Sequence, residues 1–144
     1  MSRIGMIGVL LVGTAVPAVA WATPSEALWK AMTHVESRGN AKAYNPRDGA
    51  AGVIQIRSIA VKDLNRIARR RGLEVRYTLA DRYDSAKSRE MWRLYLAYYG
   101  AYYAKRTGET PTDEVYARIW NGGPSGWAKN ATRAYWDRVR AALE

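Results

Sequence analysis

With 144 residues, the chain is long enough for one compact domain with its own core and too short for two. It has no cysteine and one histidine, His34, which excludes thiol nucleophiles, disulfides and cysteine metal sites. A zinc site or a Ser-His-Asp triad has little left to build on, and the net charge of +10 suits polyanionic partners.

Residues 1–22 have the order of a secretory signal peptide. Met1-Ser2-Arg3 is a positive start, Ile4 to Val16 is an uncharged apolar run, and Ala18-Val19-Ala20 and Ala20-Trp21-Ala22 are small-x-small cleavage patterns. An uncleaved N-terminal anchor is the alternative, because the apolar run approaches the ~20 residues needed to span a bilayer. The part from residue 23 onward is expected to be exported, to the periplasm or the extracellular space. Arg3 is the only charged residue before it, so 22 basic and 13 acidic residues remain, a net +9. Anionic cell-wall polymers and membrane surfaces fit that charge. Nucleic acid fits it equally, but the export signal argues against it.

Thr23-Pro24-Ser25-Glu26 predicts a helix start, with Thr23 as cap, Pro24 first and Glu26 closing a capping box. Leu28, Ala31, Met32 and Val35 follow at helical spacing, and Gly39-Asn40 stops the helix. Glu36 falls at its end. His34, two residues earlier, lies roughly 200° around the helix and is expected to point away, at or near the surface. Asn45-Pro46-Arg47-Asp48-Gly49 is a turn cluster that allows a short hairpin. A second helix is predicted from about Ser58 to Arg71, with Val61, Leu64, Ile67 and Ala68 inward and Gly72 closing it. Its other face carries Lys62, Arg66, Arg69, Arg70 and Arg71, either a solvated surface or an attraction for anionic wall polymers. Asp84 caps the longest helix, which ends before Gly108. There Trp92, Tyr95, Leu96, Tyr99, Tyr102 and Tyr103 repeat at three and four, as a buried face does. Thr110-Pro111-Thr112-Asp113 opens another helix with Val115, Tyr116 and Ile119 inward. A loop is expected from Asn121 to Gly126, then a last helix from about Ala131 with Tyr135, Val139 and Leu143. The fold class is α+β and predominantly helical, a single domain over 23–144 with at most a small β-hairpin.

Four pieces in chain order carry the chemistry: Glu36-Ser37-Arg38-Gly39-Asn40, Gly49-Ala50-Ala51-Gly52-Val53-Ile54-Gln55-Ile56, Ala117-Arg118-Ile119-Trp120-Asn121-Gly122-Gly123, and Thr132-Arg133-Ala134-Tyr135-Trp136-Asp137-Arg138-Val139. Together, over about Leu28 to Val139, they resemble the transglycosylase SLT domain of the lysozyme-like superfamily. The resemblance implies a lysozyme-like fold and cleavage of the β-1,4 bond between N-acetylmuramic acid and N-acetylglucosamine in peptidoglycan. It makes Glu36 the catalytic acid, Ser37 its hydrogen-bonding neighbour, Gln55 a residue of the cleft, and Asn121 the asparagine of a loop facing Glu36. Trp120 and Gly122 are the other expected substrate contacts: the indole for stacking on a sugar, the glycine for close backbone approach. No cofactor or metal is implied.

The residues agree with such chemistry. A glutamic acid that protonates a leaving glycosidic oxygen near neutral pH needs its pKa raised above ~4.3, which desolvation achieves. Val53, Ile54, Ile56 and Trp120 are candidates for the apolar wall. Ordinary glycosidases use two carboxylates, and the acid nearest the first motif, Asp48, lies in a turn where Asp has local reasons to occur. The resembled lytic transglycosylases use one glutamate twice, as acid and then as base on the muramic C6 hydroxyl, and leave a 1,6-anhydro sugar. That product is expected here, with lysozyme-type hydrolysis as the alternative. Ile54 stands where the family has Met, no Met-Pro follows Gln55, and Trp120 stands where it has Tyr, which removes a hydroxyl. A non-catalytic wall-binding module and a cationic membrane- or nucleic-acid-binding protein are the other classes this chain can serve.

Overall fold

The computed structural model describes residues 23–144, so the expected leader over residues 1–22 lies outside the described residues. Five α-helices surround one core, with a two-stranded hairpin inserted after the first helix: α1 (Glu26–Ser37), β1 (Tyr44–Asn45), β2 (Ala50–Ala51), α2 (Ser58–Arg70), α3 (Ser85–Thr107), α4 (Asp113–Gly122) and α5 (Arg133–Leu143). Short 3-10 turns at Ala80–Tyr83, Gly126–Ala128 and Asn130–Thr132 join α2 to α3 and α4 to α5. The expected mostly helical α+β fold with one small hairpin is the fold observed. Among the described residues no helix is long and apolar enough to cross a membrane.

Helix ends follow their caps, with three departures from the sequence expectation. Ser25, not Thr23, caps α1: its Oγ accepts from the Leu28 N–H at 3.0 Å. Glu26 thus becomes the first helical residue, and its carboxylate pairs with Arg89 of α3 instead of closing a capping box. The loop expected from Asn121 starts later, because Asn121 and Gly122 complete the last turn of α4. Gly123, at φ +82°, ends that turn with its N–H on the Ile119 carbonyl at 2.8 Å. Asp84 caps α3 as its sequence implies, whereas α4 departs as α1 does: Thr112, not Thr110, is its cap, and Pro111 lies before the helix.

The core lies where the five helices meet. Leu28, Met32, Leu64, Ile67, Met91, Trp92, Leu96, Ile119 and Val139 are enclosed there. Trp29 meets Trp92 edge to face at 5.2 Å. Of the predicted aromatic stripe on α3, Trp92, Tyr95, Leu96, Tyr99 and Tyr103 are buried, whereas Tyr102 is 43% exposed. The predicted inward face of α2 is buried in full. Tyr135 and Val139 of α5 are buried and Leu143, the last residue of the helix, only partly.

Candidate active site

Glu36 sits in the last turn of α1, where Arg38 and Gly39 turn left-handed, at φ +55° and +79°, and send the chain back toward the hairpin. The residue keeps some exposure, but its carboxyl end is enclosed. Tyr135, in the first turn of α5, donates its hydroxyl to Glu36 Oε1 at 2.8 Å across 99 residues of sequence. Burial holds the Tyr135 pKa well above its ordinary value of 10, so this hydroxyl keeps its proton.

Burial is also the largest effect on Glu36 and pushes its pKa from the ordinary 4.5 up to about 7. Against this, the Tyr135 hydrogen bond and then the positive charge of Arg138 pull it down; Asp48 pushes it up and Arg57 pulls it down, both more weakly. A carboxyl group that is half protonated near neutrality can give a proton and take one back.

Asp48 comes from the hairpin turn, which is built locally. Asn45 and Asp48 accept from backbone N–H groups two residues on, at 3.0 and 3.1 Å, and β1 pairs Tyr44 with Ala51 and Asn45 with Ala50. Ala51 bridges back to Ile56, which places Gln55 at φ +53°, a left-handed position unusual for a side chain with a Cβ. The Gln55 amide donates to the carbonyls of Gly52 at 3.0 Å and Ala43 at 3.4 Å and so holds this turn closed.

Arg82 clamps the segment from below. It is buried, and no carboxylate pairs with it among the described residues. Its guanidinium donates to the carbonyls of Leu79 at 2.9 Å, Gly49 at 2.9 Å and Ile56 at 3.1 Å. The second half of the hairpin and the loop after it, from Gly49 to Ile56, thus hang at both ends on one side chain. Gly52 admits the clamp: a Cβ there would lie 1.6 Å from the Arg82 carbonyl oxygen. On the other side Arg118 pairs with Glu114 at 2.8 Å and donates to Thr132 Oγ1 and the Lys129 carbonyl, each at 3.0 Å, which fixes the turns before α5.

A groove of about 460 Å³ opens beside this centre, lined by Gln55, Ile56, Arg57, Ile59, Ala60, Lys62, Asp63, Arg66, Tyr95, Trp120, Gly123 and Pro124. Glu36 is not itself among these lining residues; Arg57, which is, lies near enough for its charge to act weakly on that carboxyl. Trp120 is half-buried in the groove wall, with its Nε1 donating to the Ile54 carbonyl at 3.2 Å and its ring edge to face with Tyr95 at 5.5 Å. The indole is therefore held rigidly, as a platform must be.

The sequence-predicted residues divide between these places. Gln55 and Trp120 line the groove. Ser37 turns to the hairpin: its Oγ donates to the Val53 carbonyl at 2.7 Å and ties the end of α1 to the loop. Val53 and Ile54 are buried behind that loop, and Ile56, buried too, contributes to the groove lining. Asn121 is exposed on α4 and does not line the groove. Gly122 packs against the 3-10 turn before α5 instead, since a Cβ there would lie 2.4 Å from Thr132 Cγ2. His34 is exposed. Spacing alone marks Tyr135 as a core residue and gives Arg82 no role; only the fold brings them to Glu36 and the hairpin.

No protein-family model matches the chain. Over 43 residues it is 46% identical to Lysozyme 1 of Crassostrea virginica, a stretch covering 30% of this chain and 23% of that protein. The crystal structure of Tapes japonica lysozyme superposes with a TM-score of 0.64 at 22% identity, over 81% of this chain and 88% of that one. A chain in the complex of Aeromonas hydrophila PliI with Meretrix lusoria lysozyme gives 0.65 at 22% identity, over 82% and 89%. The fold is lysozyme-like.

Proposed function

We propose that this chain acts outside the cytoplasm as a lysozyme-type glycosidase of peptidoglycan, hydrolysing the β-1,4 bond between N-acetylmuramic acid and N-acetylglucosamine. The observation that carries the reading is Glu36, an enclosed carboxyl group with a pKa of about 7, bonded to Tyr135 and next to a groove with a pinned indole. Protonated Glu36 gives its proton to the glycosidic oxygen as the C–O bond breaks. Asp48 is the second carboxylate, set to stabilise the positive charge that develops on the sugar. Glu36 then takes a proton from the attacking water and returns to its starting state. Gln55 and Trp120 contact the glycan, and Ser37 keeps α1 and the hairpin in register. The similarity to proteins named lysozyme favours water as the acceptor.

A second reading ends in the 1,6-anhydro product, with the muramic C6 hydroxyl in place of water. What favours it is the turn duty of Asp48, which is exposed and spends Oδ1 on the Ala50 N–H, leaving Glu36 as the one enclosed carboxyl group of the pair. Digestion of purified sacculi tests both. Glu36→Gln keeps the shape without the donor, and release of muropeptides is expected to fall at least about a hundredfold. An undiminished rate rejects the assignment. Mass spectrometry of the wild-type products decides the acceptor: reducing ends mean hydrolysis, anhydro ends transglycosylation.

A further inference from the structure

A second concave surface lies between the end of α2 and the middle of α3, and the chemistry at Glu36 does not use it. We propose that this groove is an exosite for a linear polyol-phosphate polymer of the cell wall, with Ala101 and Ala104 as its floor and Tyr98, Tyr102, Arg71 and Lys105 as its walls. Its volume is about 540 Å³. Tyr98, Ala101, Tyr102 and Lys105 recur at helical spacing and share one face of α3.

The cations here are arranged around tyrosine oxygens. Arg66 and Arg71 each sit 5.7 Å from the centroid of the Tyr98 ring, and Arg70 donates to its hydroxyl oxygen at 3.3 Å. Arg106 donates to the Tyr102 hydroxyl oxygen at 3.2 Å. Both oxygens act as acceptors toward the protein, so each O–H remains to be offered to an anionic oxygen. Arg66 is engaged by Asp63 at 2.6 Å, whereas Arg70, Arg71, Lys105 and Arg106 have no carboxylate partner among the described residues. Single cations near helix ends are explained by the helix dipole, at ~0.3–1 kcal/mol each. The dipole does not account for a concave alanine floor between two clusters, or for two tyrosine oxygens held as acceptors.

The occupant follows from shape and charge. Tyr98 lies under two guanidinium groups and meets Tyr99 at 90°, so its faces are not free to stack a nucleobase. Tyr102 is the groove's one exposed large apolar side chain, too little to enter a lipid surface. A thin strand with one phosphate charge per repeat and CH-rich polyol segments fits the small alanine side chains, the cations around them and the O–H donors. The choice of a wall polymer rests on the wall-cleaving reading.

Calorimetric binding of poly(glycerol phosphate) to the whole chain, at one fixed moderate salt concentration, tests the proposal. The triple variant Arg70→Gln, Arg71→Gln, Lys105→Gln is compared with Lys30→Gln, Lys42→Gln, Arg133→Gln, which removes the same charge from exposed positions elsewhere. The groove variant is expected to bind about tenfold or more weaker, and the control less than about twofold weaker. Equal losses in the two variants overturn the exosite. Tighter wild-type binding to single-stranded DNA or phosphatidylglycerol vesicles than to poly(glycerol phosphate) overturns the occupant. Both variants are expected to cleave a peptidoglycan preparation freed of phosphate polymers as the wild type does. Loss of that cleavage in the groove variant at unchanged melting temperature places the groove in the catalytic cleft and overturns the proposal. A wild type that fails to cleave it counts against the catalytic reading while the binding comparison still stands.

Discussion

The two walls around Glu36 pull its proton in opposite directions. From the hairpin side, Asp48 adds negative charge and raises the carboxyl pKa; from the α5 side, Tyr135 offers a hydrogen bond and Arg138 a positive charge, and both lower it. Arg57, on the chain that leaves the hairpin, is the weakest opposing charge. Burial supplied by the surrounding fold outweighs the lowering contacts, which leaves the group near neutrality and not at the 4.5 of a solvated glutamate. The walls also differ in construction. The hairpin hangs on Arg82 through backbone carbonyls alone, whereas the turns before α5 are held by Arg118 through an ion pair and a threonine hydroxyl. The acid is therefore tuned by two separately anchored pieces of structure, and each can be disturbed without touching Glu36.

The largest expected effect comes from removing the carboxyl group on which both walls act. Glu36 has a folded-state pKa raised above its ordinary value, so the native state binds the proton more tightly than the unfolded chain. Its contribution to stability is whole below about pH 4.5 and is lost as pH rises through about 7. Glu36→Gln escapes that loss. Relative to wild type it should gain on the order of 3 kcal/mol between pH 4.5 and 8, measured by denaturant unfolding at both pH values. Activity falls as stability rises, the trade expected of a strained functional group.

Breaking the hairpin wall comes next. Arg82→Met leaves the Gly49 and Ile56 carbonyls without their donor and should cost about 2–4 kcal/mol. Because the hairpin carries Asp48 and helps enclose Glu36, the alkaline limb of the pH–rate profile should move to lower pH. Arg82→Lys, with a single ammonium in place of the fork, should fall between. Tyr135→Phe disturbs the opposite wall and should move the same limb to higher pH, since a contact that lowers the Glu36 pKa is lost. If both variants shift the limb in the same direction, the opposition between the walls is wrong. The smallest effect belongs to Ser37→Ala, which loses the bond to the Val53 carbonyl; about 1 kcal/mol of stability should go, with the pH profile nearly unmoved.

How much of this was readable from sequence depends on range. The inward residues of α2, the Asp84 cap and the aromatic face of α3 apart from Tyr102 follow from spacing within one segment, and they stand as read. Where two nearby residues compete for one duty, local reasoning picks wrongly. Thr23 and Ser25 are both good caps, and the choice of Ser25 goes with the pairing of Glu26 to Arg89 in a distant helix. Glu36 was found because helix end and motif coincide. Tyr135 looked like core because it is core; that its hydroxyl reaches Glu36 depends on the packing of α1 against α5. Arg82 gave no signal at all, since carbonyl acceptors are the same at every residue and only the fold selects which ones it meets.

The central claim is that burial makes Glu36 an acid that works near neutral pH. The direct measurement is a ¹³C NMR titration of the Glu36 side-chain carboxyl group in the wild-type protein. A midpoint near 7 is the result expected from this environment. A midpoint near 4.5, the ordinary value, would mean that the carboxyl group is solvated and ionised at neutral pH, and the account of Glu36 as proton donor would be contradicted.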